Sequence, residues 1–487
     1  MLSIFVLSIF YAFFEGLNIV VLFPIISSMV EGSAKAGEGS SIITALNKLI
    51  EIMPIKDMFI AACVFVIIIV VFKSIFRYSY MVLSAFASYK IWEDVQKRLF
   101  SKYISADYRY FLDHKQGEIV YRLFNSPASV GGILKLIPQI LTEILKIIVI
   151  GVILFSMSLP VTCGVIVIGG IFYFFTGEIS RKISYFIGKG RMEAGESQNI
   201  LINEMIKQIK VFLGEKRWIL NFHRAVDKYF KLSKRDTLWI NMPLNALEIF
   251  ALVTLSIFLI FVRKFSPQSL ISNLPLLAVF AYAFQRIMPS LSLITNLRMQ
   301  IMGGLPILEI LCSVINEKMT YLTDGAKVMT SFNEKIEFDN VSFSYPGRRE
   351  ALSNAAITFE KNKCIAIVGQ SGSGKTTMVN LLIRLFDPTE GAILIDGINL
   401  IDYKKDSWLK RIGFVSQDTF IFHASVGENI KFGLDNVSKK NIIESAKTAN
   451  AHDFITTLPE GYDTVVGEKG MKLSGGEQQR IAIARAI

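Results

Sequence analysis

The run Gly369-Gln370-Ser371-Gly372-Ser373-Gly374-Lys375-Thr376-Thr377 sets glycines, a lysine and two hydroxyls at fixed spacing. A short, continuously apolar stretch, Cys364–Val368, precedes it and reads as a buried parallel strand. A helix-like run, Met378–Leu385, follows. Strand, glycine loop and helix in that order form a phosphate cradle, which sets the run apart from a chance glycine-rich turn. Glycines let backbone N–H groups turn inward around phosphate oxygens. The helix start adds a partial positive charge. Lys375 brings a full charge to the β- and γ-phosphates, and Thr376 offers a hydroxyl to Mg²⁺. A second run, Leu473-Ser474-Gly475-Gly476-Glu477-Gln478-Gln479-Arg480, opens another helix with Ser474 and two glycines, a further N-terminus suited to phosphate.

The elements that position these residues fall into two halves. The chain has 487 residues, 52% of them hydrophobic, with a mean hydropathy of +0.45. Residues 1–305 hold nearly all the long apolar runs, whereas residues 335–487 read as an ordinary soluble domain. Spans are predicted at 3–30, 57–83, 133–157, 159–185, 243–265 and 274–300, each long enough to cross a bilayer, which takes about 20 helical residues. The first carries no basic leader and reads as a true span, not a signal peptide. Ser158-Leu159-Pro160 makes an uncharged hairpin. Segment 181–241 carries thirteen Lys/Arg against six acids, and segment 84–132 seven against five. By the positive-inside rule both segments, and both termini, are cytoplasmic. That topology accounts for the formal net charge of +11 without nucleic acid. Apolar spacing such as Leu201, Met205, Ile209 and Phe212 predicts membrane helices extended into the cytosol, with turns near 107–117 and 211–218. Strands are expected at Ile336–Phe338 and Val341–Phe343, alternating like edge strands. Cys63, Cys163, Cys312 and Cys364 match no metal or disulfide spacing and read as small buried hydrophobes.

The 473–480 run resembles the signature motif of ABC ATPases, and its distance from the glycine loop fits that family. The resemblance implies a type I exporter of the half-transporter kind. Its fold would be an all-α six-helix transmembrane domain over 1–305, a linker over 306–334, and an α/β P-loop ATPase domain over 335–487. It implies that Ser474, Gly475 and Gly476 meet the γ-phosphate held by the glycine loop, residues 369–377, of a partner domain. Tyr345, in Phe343-Ser344-Tyr345-Pro346, resembles the aromatic that stacks on adenine, although an aromatic beside a strand end also serves as packing. Gln417, in Val415-Ser416-Gln417-Asp418, resembles the glutamine that contacts Mg²⁺ and senses the membrane domain. Thr464–Glu468 resembles the segment that type I exporters place near the cytoplasmic helix tips. The family continues with a strand ending in Asp-Glu and a switch histidine. Neither stands before Ile487, and His114, His223, His423 and His452 do not match the latter. The ATPase domain is therefore expected to be incomplete at its C-terminus and inactive by itself.

Ionisable residues inside predicted spans point to function. Lys73 and Arg77 share a helix face; they either snorkel to the headgroups or line a polar cavity for an anionic substrate. Glu143 and Lys146 are spaced to pair, and Glu15 is expected to face a cavity. Glu178 and Glu248 also lie in or near spans. Glu15–Pro24 and Leu141–Ile144 are similar to spans of lipid-linked oligosaccharide and glycolipid exporters. The leading reading is an ATP- and Mg²⁺-dependent, membrane-embedded dimer that exports or flips an amphipathic substrate, in a bacterial-type cell membrane with a cytoplasmic ATPase domain. Peptide or drug export, and a regulatory protein that binds ATP without hydrolysing it, stay open.

Overall fold

The structure, a computed structural model, describes residues 2–22, 25, 41–55, 57–157, 159–202, 206–265, 274–317, 319, 321–345, 347, 349–434, 436–467 and 473–487. In the predicted spans at 159–185 and 243–265 and around 274–280, many side chains lie outside the description. The chain divides into one unit of residues 1–105 and 111–319 and a second of residues 106–110 and 320–487.

The first unit is helical. Helices α1 (Leu2–Val20), α2 (Ser41–Glu51), α3 (Met58–Ser105), α4 (Tyr108–Asp113), α5 (Gln116–Met157), α6 (Leu159–Ile202), α7 (Ile206–Val211), α8 (Glu215–Phe265) and α9 (Leu274–Asn316) follow in order. Five of the six predicted spans lie within these helices to within a residue; of the first, predicted at 3–30, α1 covers 3–20, and residues 23–24 and 26–30 lie outside the described residues. Four of the helices are long and apolar enough to cross a membrane over described residues: Leu2–Val20, Phe59–Ser105, Gln116–Ser156 and Ala281–Asn316. The extension predicted after the second span is continuous with it: α3 has 48 residues, a rod of about 70 Å. Of the spacing at Leu201, Met205, Ile209 and Phe212, α6 ends at Ile202, residues 203–205 lie outside the described residues, and α7 begins at Ile206. The turn expected at 107–117 holds its own short helix, α4. At the other tip α8 begins at Glu215, after Leu213 at φ 52° and Gly214. Helix α9 runs on to Asn316, into the stretch assigned to the linker.

Helix α1 packs on α3 and α5, and α9 packs on α5 and α6. Ile19, Ile69, Ile150, Ile153, Leu154, Ala283 and Ile287 form the shared core. At Gly188 a side chain would stand 2.0 Å from the Gly303 carbonyl oxygen, so α6 and α9 meet backbone to backbone. The cysteine expectation is corrected in part. Cys163, Cys312 and Cys364 are exposed and Cys63 is half-buried. A thiol is apolar enough to stand on a span surface as well as in a core.

In the second unit, β1 (Lys335–Ser344), β2 (Glu350–Glu360), β3 (Glu390–Ile395) and β4 (Ile398–Asn399) form one antiparallel sheet in the order β2-β1-β3-β4. The two short edge strands expected around 336–343 are one inner strand, hydrogen-bonded on both sides. Phe338 and Val341 are three apart, so strict alternation would put them on opposite faces. The register shifts between them and Asn340 stands at φ 49°, so a bulge returns Phe338, Val341 and Phe343 to the buried face. Leu381, Phe386, Ile393, Ile395 and Trp408 complete that core. Asp396 ties the entry to β1: its carboxylate accepts from the backbone N–H groups of Asn333, Glu334 and Lys335 at 2.7, 2.8 and 3.0 Å.

The buried parallel strand expected at Cys364–Val368 is corrected. The segment is exposed, with Val368 at 90% accessibility, and it forms no ladder among the described residues. A parallel strand is buried only when neighbours bond both its edges, and no described segment does so here. The helices of this unit are α10 (Lys375–Leu382), α11 (Lys405–Leu409), α12 (Val426–Ile430), α13 (Lys439–Thr448), α14 (His452–Thr457) and α15 (Gly475–Ala486). Ile421, Val426, Ile430, Ile455, Ile481 and Ala484 are buried among α12, α13, α14 and α15, whereas α10 and α11 belong to the sheet core.

Candidate functional site: a phosphate cradle, a capped helix start and an intramembrane charge cluster

Two glycines shape the loop before α10. Gly372 and Gly374 stand at φ 83° and 88°, where other side chains are strained. Gly374 is the N-cap of α10, and a Cβ there would meet the Ala351 carbonyl at 2.6 Å. Lys375 curls back over the loop: its Nζ donates to the carbonyl oxygens of Gly369 and Gln370 at 2.9 and 2.8 Å. Ser373 closes the turn by donating its N–H to the Gln370 carbonyl at 3.2 Å. The first N–H groups of α10 have no carbonyl a turn behind them within the helix. Gln370, Ser371 and the Thr376 side chain are exposed beside them. An ammonium seated at the loop, free helix-start donors and an exposed hydroxyl fit a polyphosphate with its metal ion. Thr377 is buried, and its Oγ1 lies 3.3 Å from the Tyr345 hydroxyl.

Tyr345 is half-buried, its ring meeting Phe343 edge-on at 4.9 Å and Phe386 at 5.5 Å between centroids. These two rings also carry the 106–110 segment. The Arg109 guanidinium lies 5.4 Å from the centre of Phe343 and 5.8 Å from Phe386, and donates to the Asp387 carbonyl at 3.1 Å. Tyr108 packs on Phe386 at 5.9 Å. Sequence spacing placed a tip near 107–117 but gave no sign of its partners, because Phe386 stands more than 270 residues away.

Helix α15 begins with a closed capping box. Ser474 donates its N–H to Glu477 Oε2 at 2.7 Å, and Glu477 returns its N–H to Ser474 Oγ at 3.4 Å. The Ser474 N–H and hydroxyl together hold the Glu477 carboxyl below its usual range. A Cβ on Gly475 would have nothing within 4 Å. No neighbour in the described chain requires a glycine there, so its bareness leaves room for something from outside. Helix α15 packs on α12 and α13, and α10 packs on β2, so the structure builds the two phosphate-seeking helix starts on different cores. Gln417 is exposed in a bend, and no described hydrogen bond joins it to Thr376 or Lys375. Val465 bridges to Ser425; Glu468 lies outside the described residues.

Within the helical unit, Glu15 is almost fully buried, and its carboxylate meets Lys73 Nζ at 3.0 Å and Arg286 Nη1 at 3.6 Å. Lys73 thus turns into the bundle, while Arg77, one turn on, is exposed. Glu143 and Lys146 are both buried and paired at 2.6 Å. The side chains of Glu178 and Glu248 lie outside the described residues. Arg286 was missed in the sequence, although it is the one charge in the otherwise apolar 274–297 stretch. It donates through Nε and Nη2 to the Tyr282 hydroxyl at 3.1 and 2.8 Å.

Residues 1–290 match the family described as ABC transporter transmembrane region, and residues 352–487 the one described as ABC transporter. The ATP-dependent lipid A-core flippase of Syntrophus aciditrophicus (strain SB) is 30% identical over 87% of this chain and 70% of its own length. The serine protease/ABC transporter B family protein tagA of Dictyostelium discoideum is 31% identical over 83% of this chain, which spans only 23% of that protein. A bacterial Atm1-family ABC exporter solved with ATP bound has a similar fold, with a TM-score of 0.76 at 23% identity, over 98% of this chain and 82% of its own.

Proposed function

The chain belongs to the ABC transporter family, and from that premise we propose that it works as one half of a dimeric exporter that uses ATP to flip an amphipathic lipid-linked molecule. The observation that carries the reading is the cradle before α10: two left-handed glycines, free helix-start donors and the Lys375 ammonium converge on one loop. ATP would lie with its phosphates there and its base on Tyr345. Lys375 offsets phosphate charge. Thr376 and Gln417 would hold Mg²⁺, which supplies further charge neutralisation. Ser474, Gly475 and Gly476 of a second copy would cover the phosphates, a role that the bare Gly475 supports. Gly369, Gln370, Ser371, Gly372, Ser373, Gly374 and Thr377 shape the cradle.

The glycolipid or lipid-linked oligosaccharide class is favoured by the polar residues inside the helical unit and by the kinship with a lipid A-core flippase. The chain is an integral membrane protein; the loop charges favour a cytoplasmic ATPase domain, and the kinship with a bacterial flippase favours a bacterial-type cell membrane.

Subunit mixing tests the shared site. Full-length Lys375→Ala and Gly475→Asp proteins are each expected to lose ATP hydrolysis. Co-assembled, they leave one intact cradle facing one intact signature helix start, so part of the hydrolysis should return. No recovery on mixing would overturn the two-copy site.

A further inference from the structure

Helix α10 carries the cradle at one end and an arginine in a glycine's place at the other. Past Leu382 two backbone bonds close the helix: the Arg384 N–H donates to the Leu381 carbonyl at 3.0 Å and the Leu385 N–H to the Asn380 carbonyl at 2.9 Å. This ending puts residue 384 in the left-handed region, at φ 53°, where glycine is the usual occupant. Arg384 stands there instead, only 1% exposed. A buried arginine is kept where its charge and its donors have partners. The backbone favours glycine, so the reason for an arginine lies in its side chain.

That side chain ties three segments together. Its Nε donates to Asp387 Oδ1 at 3.1 Å, its Nη1 to the Tyr403 carbonyl at 3.0 Å, and its Nη2 to the Thr323 carbonyl. Thr323 belongs to a strap, residues 321–327, by which the chain enters this unit after α9. Gly325 and Lys327 donate their N–H groups to the Tyr403 and Asp402 carbonyls at 3.2 and 2.9 Å. The Lys405 N–H reaches Asp324 Oδ1 at 2.7 Å.

The strap residues are exposed or half-buried throughout. A cleft of about 640 Å³ lies beside them, lined in part by Thr323, Asp324, Lys327 and Asp387, so packing does not pin the strap on that side. A segment held by polar contacts with little apolar burial opens locally at low cost. Whether this strap is seated therefore depends on the groups that grip it, and Arg384 is the one that also ends the cradle helix.

We infer that Arg384 is a positioning residue that couples the cradle to the strap: nucleotide phosphates at the start of α10 fix the helix, and the Arg384 fork at its end then holds the strap on residues 402–405. This rests on the ATP-binding reading above and adds how occupancy of that site is passed on. The eight residues of α10 span about 12 Å. So short a helix moves as one piece, and a group bound at its first N–H donors restricts both ends. Such coupling is reciprocal: nucleotide steadies the strap by the same factor by which the seated strap tightens nucleotide.

Hydrogen–deuterium exchange of the full-length protein in detergent, read by mass spectrometry with and without a non-hydrolysable ATP analogue and Mg²⁺, measures both ends at once. In the unaltered protein the analogue is expected to slow exchange of the 369–377 loop and, about fivefold or more, of the Gly325 and Lys327 amides. Arg384→Gly suits the left-handed backbone and removes only the fork. In it the loop should still be protected, while the strap no longer responds to the analogue. Arg384→Lys keeps a charge without the fork, and its strap response should fall below about twofold. A merely structural arginine would lower strap protection equally with and without the analogue, so a response preserved in Arg384→Gly would overturn the inference. Loop protection without any strap response in the unaltered protein would do the same. If the loop itself gains no protection, the ATP-binding reading fails and this inference falls with it. Should both Arg384 variants fail to fold, Gly325→Ala decides: a Cβ there would stand 2.1 Å from the Asp402 carbonyl and would lift the strap without altering Arg384. Its half-saturating analogue concentration should rise by the factor of the strap's own response, and an unchanged value would overturn the inference. No transport substrate is present at any stage, so failure here is told apart from failure of the flippase reading.

Discussion

The Tyr345 hydroxyl and Thr377 Oγ1 meet at 3.3 Å, linking the end of β1 to the first turn of the helix behind the phosphate cradle. The ring is held edge-on by Phe343 and Phe386, so the link fixes its tilt as well as its position. An aromatic face under a base contributes about 1–3 kcal/mol. Tyr345→Ala should therefore weaken ATP binding about tenfold or more. Tyr345→Phe keeps the face and loses only the partly buried hydroxyl contact to Thr377, so the change in ATP binding should be less than about threefold. Titration with a fluorescent ATP analogue checks both; equal losses would mean that the hydroxyl, and not the ring, matters.

Lys375 donates to two loop carbonyls, so the ammonium is already stationed inside the curl of the loop. A guanidinium is wider, planar and tied to a fork of donors, and cannot take the same seat. We expect Lys375→Arg to fail nearly as badly as Lys375→Ala, with ATP hydrolysis down about a hundredfold or more in both. Phosphate release from detergent-purified protein is the measurement, and near-normal hydrolysis in Lys375→Arg would show that charge alone suffices.

Arg109 joins the 106–110 segment to the ATPase unit through two rings and one carbonyl. Cation–π contact contributes about 0.5–1 kcal/mol at such partly exposed positions. Arg109→Ala should lower the melting temperature of the second unit slightly and reduce substrate-stimulated hydrolysis more than ATP affinity. Arg109→Lys keeps charge but loses the planar stack, so it should fall between the two. Parallel measurement of stimulated hydrolysis and nucleotide affinity distinguishes this from a loss of the nucleotide site.

The spans and their long extensions were legible because apolar runs of this length and helical periodicity have a single structural solution in lipid. The glycine loop was legible because its chemistry is local in sequence. The bulge at Asn340 was not, since alternation by itself reads as two strands until the pairing partners on both sides are known. Burial of Cys364–Val368 failed for a related reason: an apolar run states what a strand prefers, and burial requires neighbours to pair with it. Arg286 lay in plain view as a lone charge among apolar residues. Its meaning depended on Glu15, some 270 positions away in the chain and on another helix.

Glu477 gives the start of the signature helix a pH dependence. The N–H and hydroxyl of Ser474 hold its carboxyl below the usual range, which for a free glutamate is about 4.3. A group whose folded value is depressed stabilises the fold above its unfolded value, and that contribution is lost as pH falls through the lower, folded one. The capping box should therefore be intact at neutral pH and open only below about pH 4. Glu477→Ala should cost about 1 kcal/mol at pH 7, typical of a lost cap. Glu477→Gln can still accept the Ser474 N–H but cannot titrate. Its stability difference from the unaltered protein should shrink as pH is lowered from 7 towards 3.5, read from melting curves of the purified protein at each pH. A difference that stays constant across that window would show that the carboxylate charge contributes nothing to the helix start.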